Sequence, residues 1–219
     1  MVRKLFFCFI LYLFLGGCGK KNVKSFEGTT YRLALLELNE YGYCEQGYKR
    51  ALAVIEKNSA ADSSDALVLG LKATCLFRLG KLLSAQACFE QARKVCKNSC
   101  LLAELDNNYA CVLAALHRFA EAQALWDGLL TSKDYLTPEV AVVNSGKMQV
   151  AQGLYSKALE SFTKALVHAP QFVDAYYYRA LVYDRIGEFG KSKQDLERVL
   201  VMEPGHAGAL QLLKLRSVM

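Results

Sequence analysis

The sequence predicts an all-α fold built from stacked helix hairpins, because the same sparse set of residues recurs along the chain. In the last two copies the period is 34 residues, and the recurring pairs are Gly153 and Gly187, Ala158 and Ser192, and Pro170 and Pro204. A fixed period of this length indicates supersecondary units that stack on their neighbours. Hydrophobic residues at 53% and only 3 prolines agree with a helical protein.

Further copies of the pattern lie upstream. They are marked by Ala73, Gly80, Ala85 and Phe89, and by Ala110, His117, Ala122 and Trp126. The extra residues between copies fall around Lys97–Cys100 and Thr131–Thr137, where we expect longer loops. A weaker first copy contains Tyr48, Ala51 and Ile55. Its leading helix has Asn39 where the other copies have Ala or Gly, which argues against a close helix crossing there.

Each recurring residue type has a structural reason. We expect the Ala and Gly positions to lie where the two helices of a hairpin cross, and Phe89, Trp126, Phe162 and Leu196 to fill the space between hairpins. Glycine ends the first helix because it adopts the left-handed conformation without a Cβ penalty. Proline ends the second helix because it cannot continue one.

The pattern resembles the tetratricopeptide repeat (TPR) family over residues 32–204, most closely in VVNSGKMQVAQGLYSKALESFTKALVHAP and AYYYRALVYDRIGEFGKSKQDLERVLVMEP. The resemblance implies a superhelix of four to five antiparallel helix pairs, with the first helix of each pair lining a concave groove. The implied repeats lie near 32–65, 66–102, 103–138, 139–172 and 173–206, within a domain of residues 31–219. A capping helix is expected at 207–219, with Leu210, Leu213 and Leu215 covering the last apolar face. Asp106 and His117 depart from the family pattern.

The implied groove is the candidate site for a protein or peptide ligand. On the family geometry its lining is Asn107, Asn108, Cys111, Val140, Val143, Asn144, Lys147, Tyr177, Leu181 and Asp184. The basic and amide residues with which related domains hold a ligand carboxylate are absent, since Gly70, Val143 and Tyr177 occupy those positions. The lining instead suits an amphipathic helix or an extended peptide. Asn108 and Asn144 either bond a ligand backbone or bond within their own repeats.

The N-terminus predicts export and lipidation. Arg3 and Lys4 precede an apolar run that is too short to span a bilayer, which needs ~20 residues, and that is typical of a signal peptide over residues 1–17. Leu15-Gly16-Gly17-Cys18 resembles a bacterial lipobox. The resemblance implies cleavage before Cys18, lipidation of Cys18 with palmitate-type acyl chains, and a tether over 18–30. A soluble secreted protein and an uncleaved signal anchor are the alternatives.

The cysteines leave their redox state open. Six of the 8 cysteines remain once Cys8 is removed and Cys18 is lipidated, and an even number in an exported chain permits disulfides. Cys96 and Cys100 are the best candidates for a pair, either as a disulfide or as two inert thiols. Their spacing matches no zinc site.

No pattern of catalytic residues is present, so we predict a protein that is not an enzyme. The sequence has no metalloprotease, serine hydrolase or phosphate-binding motif, and it implies no metal and no cofactor. The net charge of +6 is too small and too dispersed to indicate nucleic acid binding.

Together these features predict a TPR lipoprotein that acts as a protein-protein interaction scaffold or adaptor in bacterial cell-envelope assembly. It would be lipid-anchored to a bacterial membrane, facing the periplasm or in the outer membrane. The alternative is a structural surface lipoprotein that forms homo-oligomers, with disulfides linking neighbours.

Overall fold

A computed structural model describes residues 29–58 and 64–217, which form helices and connecting loops. The helices are α1 (Thr29–Tyr41), α2 (Glu45–Lys57), α3 (Ala66–Arg78), α4 (Leu82–Val95), α5 (Ser99–Ala115), α6 (Phe119–Thr131), α7 (Pro138–Ala151), α8 (Tyr155–His168), α9 (Val173–Arg185), α10 (Phe189–Met202) and α11 (Ala207–Ser217). They fall into two compact units, an N-terminal unit of α1–α6 and a C-terminal unit of α7–α11. The predicted all-α fold is confirmed.

Consecutive helices pack in pairs, and each unit stacks its pairs. The hairpins are α1–α2, α3–α4 and α5–α6 in the N-terminal unit, and α7–α8 and α9–α10 in the C-terminal unit. Within a unit the second helix of one hairpin packs on the first helix of the next, as α8 does on α9. The first helices also touch one another, as α7 and α9 do.

The turns inside the hairpins have the predicted left-handed residue. Gly80, Gly153 and Gly187 have φ of 75°, 76° and 85°. His117 takes the same conformation with φ of 62°, so the histidine replaces the turn glycine without changing the turn. In each case the next residue donates its N–H to a carbonyl five positions earlier at 2.9 Å, for example Leu154 to Gln149. This hydrogen bond satisfies a carbonyl left over at the helix end.

The expected crossings and core residues are also present. Ala85, Ala122 and Ala158 are fully buried. A Cβ added to Gly146 would lie 2.6 Å from Cε1 of Phe162, so this crossing admits only glycine without rearrangement. The bulky residues at the recurring position, Phe89, Trp126, Phe162 and Leu196, are all buried. Helices α8 and α10 each end two residues before a proline, Pro170 and Pro204.

The first hairpin differs from the expectation in the phase of its leading helix. Asn39, expected at the crossing, is exposed, and its Oδ1 accepts from the Tyr43 hydroxyl at 3.0 Å. Ala34 is the fully buried small residue of α1. The start of α2 presses on the turn, because a Cβ on Gly47 would lie 2.0 Å from the Gly42 carbonyl oxygen. The lack of an alanine at position 39 therefore does not prevent close packing.

Two further expectations are corrected. The extra residues near Lys97–Cys100 do not all form a loop, because α5 begins at Ser99 and is 17 residues long. The terminal helix α11 packs through Ala209, Leu212 and Leu213 against the core of α9 and α10. Leu210 and Leu215, which were expected to cover that core, are 47% and 59% exposed. Of the three expected leucines, only Leu213 packs on that core.

Ala158→Leu should destabilise the C-terminal unit by about 1–3 kcal/mol, because three extra carbons have to fit between α7 and α8 at a fully buried position. Urea denaturation followed by circular dichroism measures the change. Ser156→Leu on the exposed side of the same helix is the control and should stay near the wild-type value. If the Ala158→Leu protein is as stable as wild type, Ala158 does not lie at the crossing of α7 and α8.

Candidate functional site: adjacent faces of α7 and α9

Four of the predicted lining residues lie on one face of α7. Val140, Val143, Asn144 and Lys147 follow the i, i+3, i+4, i+7 spacing that groups side chains along a helix. Their residual exposure is only 2–7%, so this face is well packed.

Three more predicted residues form one face of α9, which packs beside α7. Tyr177, Leu181 and Asp184 have i, i+4, i+7 spacing and are half-buried. The two faces meet through Lys147, whose Nζ lies 4.3 Å from the centroid of the Tyr178 ring. The C-terminal unit therefore brings seven of the ten predicted lining residues onto two neighbouring helices.

The other three predicted residues, Asn107, Asn108 and Cys111, lie buried on α5 in the N-terminal unit. Asn107 Oδ1 accepts from the indole N–H of Trp126 at 3.1 Å, which joins α5 to α6. Its Nδ2 donates to Oδ1 of Asn108 over a long 3.5 Å. Both asparagines are almost fully buried. The hydrogen bond to Trp126 gives Asn107 a role inside its own hairpin.

Asp184 is held by the terminal helix. Arg216 of α11 donates from Nε to Oδ1 at 2.6 Å and from Nη2 to Oδ2 at 2.9 Å. The same guanidinium lies 4.3 Å from the centroid of Phe189. This bidentate pair positions α11 against α9, because the arginine fork matches the carboxylate geometry.

The sequence pattern missed Asp174, which lies on α9 next to the predicted residues. It is 7% exposed, and burial raises the pKa of its carboxyl, against the opposing effects of Lys147 and His206. Asp174 is also 34 residues after Val140. The repeat grid that selected Val140 could therefore have selected Asp174.

His206 and Gly208 complete the surroundings of Tyr177. The imidazole ring of His206 lies 4.5 Å from the Tyr177 ring, and its Nδ1 accepts from the Ala209 N–H at 3.1 Å. His206 thus caps the start of α11. A Cβ on Gly208 would lie 2.3 Å from the Tyr177 hydroxyl oxygen, so the glycine permits this close approach.

The structure gives no metal-binding arrangement among residues 29–58 and 64–217, where no three His, Cys, Asp or Glu side chains come together. Cys96 and Cys100 are thiols, and Cys96 Sγ donates to the Asn98 carbonyl oxygen at 3.3 Å. The disulfide between them stays a prediction. Cys18 and the signal peptide lie outside the described residues. In the part of the chain that the structure describes, every helix is too short or too polar to cross a bilayer.

The helix pairs match solved structures of repeat proteins. PilW, described as a widely conserved type IV pilus biogenesis factor, is 27% identical, with a TM-score of 0.66 over 80% of this chain and 76% of PilW. The fold is that of the tetratricopeptide repeat. PilF from Pseudomonas aeruginosa is 18% identical, with a TM-score of 0.65 over 87% of this chain and 82% of PilF. YrrB, described as a TPR protein with an unusual peptide-binding site, is 22% identical, with a TM-score of 0.51 over 84% of this chain and 90% of YrrB.

No protein-family model matches the chain, and no curated protein sequence matches it. The TPR assignment therefore depends on the helix pairs, their turns and their crossings. The turn conformation at Gly80, His117, Gly153 and Gly187 is the feature that all four of these TPR hairpins share.

Proposed function

We propose that this protein is a lipid-anchored TPR scaffold that binds a segment of another protein on the adjacent faces of α7 and α9. The observation that carries the proposal is the composition of these two faces. On α9 the half-buried Leu181 supplies apolar surface and the half-buried Tyr177 supplies an aromatic ring with a polar end. Beside them, Val140, Val143 and Asn144 form the closely packed face of α7. Side chains of this kind recognise the apolar face of a helix or an extended peptide.

A binding role agrees with the chemistry of these faces better than catalysis does. Among the predicted residues of these faces, the carboxylate of Asp184 is already bound by Arg216 and Lys147 lies over a tyrosine ring. Neither arrangement pairs a nucleophile with a general base.

A place in the bacterial cell envelope is supported by two independent features. The lipobox-like Leu15-Gly16-Gly17-Cys18 implies a lipid anchor on an exported protein. The structural neighbour PilW is described as a type IV pilus biogenesis factor. We therefore propose that the partner is a component of an envelope assembly, and that the mature protein faces the periplasm or lies at the outer membrane.

Replacing Tyr177 by Ala together with Val143 by Asp should weaken retention of the partner more than tenfold, because aromatic anchors at interfaces commonly contribute ~2 kcal/mol or more. The partner is first captured by crosslinking in native cells, and its affinity for purified variants is then measured. Because Val143 is only 2% exposed, Tyr177→Ala with Leu181→Ala is the second variant, which adds no buried charge.

The matched control is Tyr43→Ala with Val167→Asp, which alters an exposed tyrosine and an exposed valine away from these faces. It should keep wild-type affinity, and circular dichroism should be unchanged in every variant. If both test variants bind the crosslinked partner as tightly as wild type, the α7–α9 site is wrong, and the outer helix surfaces or the Lys20–Lys24 tether take its place.

Replacing Cys18 by Ala should abolish incorporation of labelled palmitate and move the protein out of the membrane fraction. The physical reason is that two or more acyl chains hold a protein on a bilayer, whereas the unmodified chain lacks them. Cys8→Ala is the control, because Cys8 belongs to the segment that cleavage would remove, and it should label normally. Undiminished labelling of the Cys18→Ala protein would contradict the lipid anchor.

A further inference from the structure

Four carboxylates that join helices are each bound by an arginine whose guanidinium also lies over an aromatic ring. The sets are Glu37 with Arg50 and Tyr41, Asp106 with Arg93 and Tyr109, Asp195 with Arg179 and Tyr176, and Asp184 with Arg216 and Phe189. The guanidinium carbons lie 3.9, 4.9, 5.5 and 4.3 Å from the respective ring centroids. The arrangement therefore occurs in both units.

In two of these sets the acid precedes its aromatic residue by three or four positions. Tyr41 follows Glu37 by four residues and Tyr109 follows Asp106 by three, so each acid and its ring lie on one face of a helix. In both cases the arginine comes from another helix. Arginine suits this place because its flat fork can bond a carboxylate while its face stacks on an aromatic ring.

Asp174 has the same spacing, because Tyr177 and Tyr178 follow it by three and four residues. It lacks the arginine. Among residues 29–58 and 64–217, no hydrogen-bond donor reaches Oδ2 of Asp174, although the residue is 93% buried. The nearby cation Lys147 lies over the Tyr178 ring and does not bond this oxygen.

An incompletely paired buried carboxylate lowers the stability of a fold, because the charge loses its hydration without gaining an equivalent partner. Burial accordingly raises the pKa of Asp174, with Glu203 adding to the rise and Lys147 and His206 opposing it. Residues that reduce stability are typical of sites where binding requires them.

We propose that Asp174 binds an arginine side chain of the protein partner. This inference rests on the proposed binding function of the α7–α9 faces. The partner's guanidinium donates to the carboxylate of Asp174 and lies against the half-buried ring of Tyr177. In the partner, apolar residues on either side of this arginine pack against Leu181. The partner's arginine would thus give Asp174 the same combination of carboxylate, guanidinium and aromatic ring that this chain forms within itself. The arginines of those internal sets are Arg50, Arg93, Arg179 and Arg216.

The test uses the full-length protein in detergent and a phage-displayed library of random 12-residue peptides. Wild type should select peptides that contain arginine, and replacing that arginine by the neutral citrulline should weaken binding at least about tenfold. The Asp174→Asn protein should bind the arginine and citrulline peptides with less than about a twofold difference, since the arginine then has no buried charge to pair with. Asp106→Asn is the matched control, because Arg93 already binds that carboxylate in the N-terminal unit, and it should keep the discrimination.

Thermal melting gives a second measurement that needs no ligand. The pKa of Asp174 is raised in the folded state, so folding favours the protonated carboxyl, and stability is lost as pH rises above the unfolded value. Asp174→Asn should therefore melt at a higher temperature than wild type at pH 7, and the difference should shrink toward pH 4. A lower melting temperature for Asp174→Asn at pH 7 would show that the carboxylate stabilises this chain, and would overturn the proposal.

The outcomes separate this inference from the binding function itself. Peptides that require Tyr177 and Leu181 but tolerate citrulline would overturn the arginine site and leave the α7–α9 binding face standing. Peptides that require arginine but bind Asp174→Asn unchanged would also overturn it. If no peptide is selected, or if none is weakened by Tyr177→Ala with Leu181→Ala, both proposals fail.

Discussion

Phe162→Ala is expected to destabilise the C-terminal unit by about 3–5 kcal/mol, the range for deleting a large buried aromatic side chain. Phe162 is fully buried on α8 and contacts both α7 and α9. Its ring lies against Gly146 of α7, where even a methyl group would be 2.6 Å away. It also stacks on Tyr178 of α9, with ring centroids 6.1 Å apart.

Because the ring joins two hairpins, its loss leaves a cavity that neither hairpin can close alone. Urea denaturation monitored by circular dichroism measures the effect. Val167→Ala on the same helix is the control, since Val167 is 76% exposed, and it should change stability by no more than about 0.5 kcal/mol. Equal midpoints for Phe162→Ala and Val167→Ala would mean that the hairpins do not share this core.

Arg179→Met should destabilise the same unit by about 3 kcal/mol, because it leaves the buried carboxylate of Asp195 without its partner. Arg179 of α9 donates from Nε and Nη2 to the two oxygens of Asp195, each at 2.8 Å. Its Nη1 also donates to the Thr163 hydroxyl on α8 at 3.2 Å. One guanidinium therefore links three helices.

The reason for the loss can be checked with a second substitution. Arg179→Met combined with Asp195→Asn should recover much of the stability, because the double variant no longer buries an unpaired charge. Lys193→Met is the control, since the Lys193–Glu197 pair is exposed and 3.8 Å apart, and it should change stability by less than about 1 kcal/mol. A double variant no more stable than Arg179→Met would mean that the lost contacts of the side chain itself dominate.

Local steric requirements explain why so much of the fold could be predicted from the sequence. Where one helix turns back closely on another, the turn needs a residue that adopts the left-handed conformation, such as Gly153. The crossing needs small residues, such as Gly146 and Ala158. Such requirements leave few residue types to choose from, so they stay visible in a single sequence. His117 shows the limit of the rule, since the conformation is kept there by a residue other than glycine.

The features that could not be predicted depend on contacts between residues that are far apart in the sequence. The repeat pattern aligns Asn39 with the small crossing residues of the other hairpins, whereas Ala34 is the fully buried small residue of α1. The predicted rotation of α11 is wrong, because Ala209 and Leu212 pack on the core of α9 and α10 while Leu210 and Leu215 are exposed. The repeat pattern could have selected position 174, but the unbonded Oδ2 of Asp174 depends on neighbours that the sequence does not show.

The lengths of the connections have a consequence for how such a chain can change in evolution. Among the described residues, the five hairpin turns each contain three residues between their helices, whereas the links from one hairpin to the next range from three residues at 96–98 to eight at 58–65. One residue added to a hairpin turn would rotate the following helix by about 100° and move its alanine out of the crossing. One residue added to a link only lengthens a surface loop. Insertions and deletions among homologues should therefore collect in the links, so that the turn length is kept while the 34-residue period is lost.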